Sequence, residues 1–249
     1  MPRMPPHPPQ ALPSLMARVR QSGFGRGLRA GTPIFLGYVP VGTAFGILAR
    51  QLGFSTLEAV VCSATALAGA GQFIALSLLA GGATAMATIA ATAVVNMRYL
   101  LFATTLAPHL RGASPATKSW LAFTLTDETF AVNLAERRAG RHSAASMAGV
   151  GAIAWCGWVI GTALGAAGSD LVKDPSTWGV DFAMPAMFAA LFVALAEDRR
   201  HVIVGVFSGA VVLVLPLLSS LGLTLDASWF IVIASLAGAT TGWWVFRER

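Results

Sequence analysis

From Thr32 to Phe246 the chain is a succession of apolar runs, most of them about 17 to 25 residues long, enough to carry a helix through the hydrocarbon core of a bilayer. They cover 32–49, 57–80, 84–106, 119–136, 143–168, 182–196, 202–223 and 228–246, with short polar and basic breaks between them. The pattern predicts an all-α polytopic membrane protein with about eight transmembrane helices. The fourth run is the least apolar, because Asp127 and Glu128 stand inside it, and the sequence leaves open whether it crosses fully or dips in and returns. The spread of basic residues argues for keeping it, since cytoplasmic loops accumulate Lys and Arg. Eight spans with the N-terminus inside put twelve Lys and Arg inside and four outside, with Arg98 in the membrane; without the fourth span the ratio falls to six against ten.

Composition agrees with the pattern. Hydrophobic residues make up 55% of the 249 positions and charged ones only 11%, against about 25% in soluble domains. Mean hydropathy is +0.68. A net charge of +6 suits a nucleic-acid binder in principle, but the basic residues gather in the N-terminal tail and between helices, so no nucleic-acid partner is expected. Residues 1–30 carry six prolines, then Arg18, Arg20, Arg26 and Arg29, and lack the apolar core of a secretory signal. They read as a disordered cytoplasmic tail, with a short basic helix near 12–19, ahead of a transporter domain over 31–249. Both termini are expected on the cytoplasmic side. Cys62 and Cys156 lie in apolar runs as packing residues, and no metal or other cofactor is expected.

Enzymatic readings find little support. The two lysines, Lys118 and Lys173, do not follow glycine as a phosphate-binding loop requires, and the four histidines lie in the tail and loops. Chemistry-bearing residues gather instead at mid-membrane depth. Arg98 lies eight residues before the end of the third run and Asp127 eight residues after the start of the fourth, so both sit roughly 12 Å from the same boundary at 1.5 Å per residue. A charge at that depth costs roughly 2.5–3.5 kcal/mol on insertion scales and persists where it meets a partner or a polar pathway. Arg98, Asp127 and Glu128 are therefore candidates for an ion pair, a proton-coupling group, or both. Pro40 among Gly37, Gly42 and Gly46 predicts a break in the first span; Gly69, Gly71 and Gln72 predict one in the second. The glycine pairs also suit close helix packing. A faint repeat relates Gly42-Thr43-Ala44-Phe45-Gly46 to Gly161-Thr162-Ala163-Leu164-Gly165 and suggests two weakly similar four-helix halves. Pro185 and Pro216 predict kinks, and Asp181 guards the mouth of the sixth span.

Four segments carry a family resemblance: Gly37-Tyr38-Val39-Pro40-Val41-Gly42-Thr43-Ala44-Phe45-Gly46, Ala68-Gly69-Ala70-Gly71-Gln72-Phe73, Asn96-Met97-Arg98-Tyr99 and Thr126-Asp127-Glu128-Thr129-Phe130-Ala131. In this order they resemble the AzlC family of bacterial branched-chain amino acid exporters. The resemblance implies the large subunit of a secondary exporter of valine, leucine and isoleucine, extending to methionine, in the bacterial inner membrane beside a small AzlD-type membrane protein. It gathers Pro40, Gly42, Phe45, Gly71, Gln72, Phe73, Asn96, Arg98 and Phe130 as candidate substrate-binding positions. In that reading Arg98 or the broken backbone near Gly42 and Gly71 takes the substrate carboxylate. Asp127 or Glu128 takes the ammonium and the coupling proton, and Phe45, Phe73 and Phe130 line the side-chain pocket. An exporter of another small solute, or a channel-like or purely structural subunit, remains an alternative.

Overall fold

The computed structural model describes residues 22–141, 143–172, 199–219 and 228–246, with scattered positions between 174 and 198. Regular structure among them is helical: α1 Gly23–Ala30, α2 Thr32–Gln51, α3 Thr56–Thr65, α4 Gly69–Ala80, α5 Ala85–Asn96, α6 Arg98–Leu106, α7 Pro115–Phe123, α8 Asp127–Arg138, α9 Ala144–Gly168, α10 Arg199–Ser219 and α11 Ser228–Phe246. Short 3-10 turns follow α6 and α9. The chain divides into two compact units at Met187. In the second, α10 and α11 pack together, Gly238 against Ser208, and Arg200 Nη1 donates to the Val245 carbonyl at 3.3 Å. The expected sixth span is described only at scattered positions, and Asp181 and the helix near 12–19 lie outside the described residues.

The first unit is built around α2 and α9. Glycines bring their backbones into contact: a Cβ on Gly42 would sit 2.7 Å from the Trp158 carbonyl oxygen, and Gly46, Gly161 and Gly165 meet the opposite backbone as closely. The two segments of the faint repeat therefore pack against each other. Contacts advance in step, Phe35 with Gly157, Val39 with Gly161 and Thr43 with Gly165, so the helices run parallel. Residues 23–30, assigned to the tail on composition, form α1, whose Gly27 rests on the Ser146 backbone.

Neither the second nor the fourth apolar run crosses the bundle. Gln72 Nε2 donates to Ser63 Oγ at 3.3 Å, although nine residues of continuing helix would separate them by about 13 Å. The chain turns at Ala66–Ala68, and α4 runs back beside α3. Gly69 approaches Trp158 while Phe73 meets Phe45, so α4 climbs alongside α2. A tight turn through Gly82, at φ +77°, then leads to α5, which descends against α4 with Thr92 and Asn96 beside Gly71. The fourth run repeats the device from the opposite side. Trp120 meets Ala148 and Thr124 meets Gly151, so α7 rises with α9. After Thr124–Thr126 the chain reverses. Asp127 pairs with Arg98, Phe130 stacks on Phe102, and α8 descends parallel to α6.

Of the about eight spans predicted, with 119–136 either crossing or re-entering, the all-helical architecture is present and the fourth run takes the re-entrant form. In the first unit α2, α5–α6 and α9 are the apolar helices long enough to span, and between them the chain makes two hairpins. Both hairpins have the same plan. Their returning helices are each twelve residues long and begin 58 positions apart, at Gly69 and Asp127; the leucines of their tips, Leu67 and Leu125, are also 58 apart. One hairpin is inverted with respect to the other. The arrangement also sharpens the charge asymmetry of residues 22–172: Arg26, Arg29, Arg111, Lys118, Arg137, Arg138 and Arg141 lie on the α1 side, and Arg50 opposite.

The predicted break at Pro40 is absent. α2 is continuous from Thr32 to Gln51, with Pro40 inside it on an exposed face. The ring removes one backbone hydrogen bond, but the glycine-mediated seam with α9 holds the helix through that point. α10 likewise continues through Pro216. The third run has a small interruption instead, at Met97, where the Leu100 N–H bonds back to the Met97 carbonyl at 3.0 Å.

Gly46→Leu should lower the detergent melting temperature by the equivalent of about 2 kcal/mol or more, because the new side chain meets α9 backbone. Gly37→Leu, which points into open space, should leave it unchanged. Equal melting of the two variants would refute the seam.

Candidate functional site

The hairpin tips meet near the middle of the bundle, and their chemistry differs. At the second tip Thr126 caps α8: its Oγ1 accepts from the Thr129 N–H at 3.2 Å, while the Thr126 N–H donates to Thr129 Oγ1 at 2.8 Å. Thr129 Oγ1 also donates to the Thr124 carbonyl at 2.9 Å. The first tip has no such cap. Ala68 precedes α4 without a side-chain hydrogen bond, so the N–H groups of Gly69 and Ala70 open the helix uncapped. Two tryptophans of α9 steady this tip. Trp155 Nε1 donates to the Ala64 carbonyl at 3.0 Å, and Trp158 Nε1 donates to Gln72 Oε1 at 2.8 Å.

Between the tips Arg98 Nη2 lies 2.9 Å from Asp127 Oδ2, with side chains 27% and 16% exposed. The Arg98 guanidinium also lies 5.4 Å from the centre of the Tyr99 ring. The Tyr38 hydroxyl donates to Glu128 Oε2 at 2.5 Å and lies 2.9 Å from Thr126 Oγ1. These groups surround a void of about 10 Å³, at the lower limit for a single water. Its wall comprises Tyr38, Gly69, Ala70, Arg98, Tyr99, Thr126, Asp127, Glu128 and Trp158. The N-termini of α4 and α8 thus face one point, where each presents partial positive charge, and Arg98 adds a full one. Asp127 and Glu128 supply two carboxylates against it.

Of the residues singled out from sequence, Arg98, Asp127 and Glu128 come together at this void. Phe45 and Phe73 pack with Tyr38 and Trp158 in a buried aromatic cluster, with centroids 5.2–6.4 Å apart, next to the void but outside its wall. Gln72 bridges α3, α4 and α9 and is only 5% exposed. Gly71 lies against Asn96, where a Cβ would touch the amide at 3.0 Å. Asn96 Oδ1 is buried without a hydrogen-bond partner among the described residues. Phe130 stacks on Phe102 at 4.5 Å. Gly42 lies in the helix seam and Pro40 on the surface, away from the void. Sequence reasoning passed over Tyr38, Ala70, Tyr99, Thr126 and Trp158 as site residues and took Gly69 only as a helix break. The first four stood inside the quoted motifs; for Trp158 the local signal was only the glycine stripe around it.

Comparison with known proteins places the chain. The AzlC protein family matches residues 33–172. An uncharacterized membrane protein of Archaeoglobus fulgidus is 34% identical over 89% of this chain and 94% of its own length. The inner membrane protein YgaZ of Escherichia coli is 31% identical over 87% and 93%. The branched-chain amino acid transport protein AzlC of Bacillus subtilis is 33% identical over 68% and 66%. No solved structure matches. The chain belongs to the AzlC family, and it is a membrane protein of that transport-associated family.

Arg98→Ala leaves two carboxylates facing each other at the tip. The loss should be about 2–3 kcal/mol, below the ~3–5 kcal/mol of a fully buried pair, because Arg98 retains some exposure. The exchanged pair Arg98→Asp with Asp127→Arg should recover part of the lost melting temperature. No recovery would show that the pairing contributes little.

Proposed function

We propose that this AzlC-family chain is the large subunit of a secondary transporter that exports branched-chain amino acids, valine, leucine and isoleucine, with a small AzlD-type membrane protein as its partner. The observation that carries the reading is the convergence of two half-helix N-termini on an Arg–carboxylate cluster inside an apolar bundle. An amino acid zwitterion needs an anion site and a cation site a few ångströms apart, and both kinds of group are here. Helix N-termini and a guanidinium suit its carboxylate. Asp127 and Glu128 suit its ammonium. The relative in Bacillus subtilis, named for branched-chain amino acid transport, points to the same substrate class.

In this reading the void is the closed form of the site. Asp127 occupies Arg98 and Tyr38 holds Glu128, so the space shrinks to about 10 Å³. An arriving carboxylate takes over Arg98 and the N–H groups of Gly69 and Ala70, which frees Asp127 for the ammonium or for a proton. One hairpin enters from each side, so withdrawing one tip opens the site to that side while the other keeps it shut. The excess of Lys and Arg supports an α1 side that faces the cytoplasm, and the export reading assigns the chain to a bacterial inner membrane.

Vesicles loaded with radiolabelled leucine or valine, carrying this chain with the small partner, should release label faster than vesicles with either protein alone. Asp127→Asn or Glu128→Gln should cut that release about tenfold or more, the scale of losing one charge-assisted contact. Wild-type release by both variants would sink the proposed site. No release of either amino acid by the intact pair would sink the substrate assignment.

A further inference from the structure

Beneath the second hairpin lies another cavity, of about 270 Å³, whose wall shares no residue with that of the void. It is bounded by α6 and the turn after it, by α7 and α8, and by the start of α9, and is open on one side. Leu106, Leu121, Leu125 and Met147 give it a carbon wall, and all four are buried. Its polar side is unusual. Asn133 lines it while only 6% exposed, and its side-chain amide makes no hydrogen bond among the described residues. The amide therefore opens to the cavity, and its donor and acceptor are met by what occupies that space, water or a solute. The neighbouring Thr124 and Thr129 hydroxyls are already committed to the Trp120 and Thr124 carbonyls, at 2.9 Å in each case. Lys118 stands exposed at the edge.

The volume is just below the range of ~300–1,000 Å³ common for ligand pockets, which suits a small solute. Position adds to the argument. The cavity lies on the α1 side, and the non-helical turn Thr124–Thr126 separates it from the void, since Thr124 and Leu125 wall the one and Thr126 the other. We propose that this cavity is an entry subsite for a free aliphatic amino acid. The side chain rests among Leu106, Leu121, Leu125 and Met147, the polar groups at the α-carbon meet the Asn133 amide, and the carboxylate turns toward Lys118. The inference rests on the export reading and locates its selectivity for apolar side chains. A lipid acyl chain is the rival occupant. It suits the carbon wall but leaves the Asn133 amide without a partner.

The test uses the full chain with its small partner and compares wild type, Asn133→Leu and Ala122→Phe. Removing an unpartnered polar group should leave the ligand-free melting temperature of Asn133→Leu equal or higher. The stabilisation that leucine gives the wild type should disappear in this variant, and its KM for leucine efflux should rise about tenfold or more. Ala122→Phe, which fills the cavity from its wall, should depress leucine and isoleucine efflux more than valine efflux. An unchanged KM in Asn133→Leu, with wild-type export intact, would overturn the subsite and leave the export reading standing. A lowered ligand-free melting temperature would make Asn133 a structural residue and overturn it too. Leucine stabilisation retained by Asn133→Leu, together with tighter retention of phospholipid, would assign the cavity to an acyl chain. Absence of wild-type leucine export would instead remove the reading on which the subsite rests.

Discussion

Two reversals of the backbone inside an apolar bundle impose the condition that the rest of the first unit satisfies. A turn in hydrocarbon exposes amide and carbonyl groups that lipid cannot solvate, so it survives only where protein encloses it. The seam between α2 and α9 provides that enclosure. Because Gly42, Gly46, Gly161 and Gly165 let the two backbones touch, Tyr38 and Trp158 are brought edge to face at 5.2 Å beside the tips. Leu67 and Leu125 anchor the two turns, 4% and 7% exposed. The polar groups are then met individually: the Ala64 carbonyl by Trp155, the Gln72 amide by Ser63 and Trp158, and the Thr124 carbonyl by Thr129.

The two tips follow one plan but differ in charge, and that difference makes the place useful. Gly69 and Ala70 occupy in the first hairpin the positions that Asp127 and Glu128 occupy in the second, at the same spacing of 58. One tip therefore presents bare N–H groups and the other presents carboxylates. Had both been capped, the void would have no open donors. Had both been bare, Arg98 would face two positive helix ends with nothing to balance it. Arg98 comes from the only crossing segment between the hairpins, at the interruption by Met97, where the helix can turn its side chain toward both tips.

The level of the charges was legible in the sequence; the path of the chain was not. Arg98 and Asp127 counted to equal depth from the third-to-fourth connection, and that equality holds whether the fourth run crosses or returns, since the count stops at the tip. Hydropathy cannot distinguish a crossing from a hairpin when the whole run is apolar, as in 57–80. Only the cluster Ala68-Gly69-Ala70-Gly71 hinted at a turn, and the break falls at its leading edge. Pro40 misled in the opposite sense. A proline is a strong signal of interruption when a helix stands alone, but neighbouring backbone contacts keep α2 intact. The basic residues carried more information than two full crossings allowed. Returning both hairpins to their own sides moves Arg111 and Lys118 across to join the other cationic loops.

The Thr124–Thr126 turn is the element on which access to the ion pair depends. It is short, and its hydrogen bonds are local: Thr126 with Thr129, and Thr129 with the Thr124 carbonyl. Such bonds can travel with the tip, so moving α7 and α8 together breaks few of them. The contacts that would have to change are those to other elements: the Trp120 bond to the Ala148 carbonyl, the packing of Thr124 on Gly151 and Phe130 on Phe102, and the polar pairs Tyr38 with Glu128 and Arg98 with Asp127; the last two set the chemistry of the tip. These two polar pairs are charge-assisted, and both involve groups that an amino acid zwitterion could replace in kind. A ligand shifts a conformational equilibrium only through interactions it makes better in one state than the other. Here the same side chains that latch the second hairpin are the ones the zwitterion would engage. In the proposed transport cycle, binding and unlatching would compete for one set of charges, which would couple occupancy of the site to movement of the tip without any longer relay through the bundle.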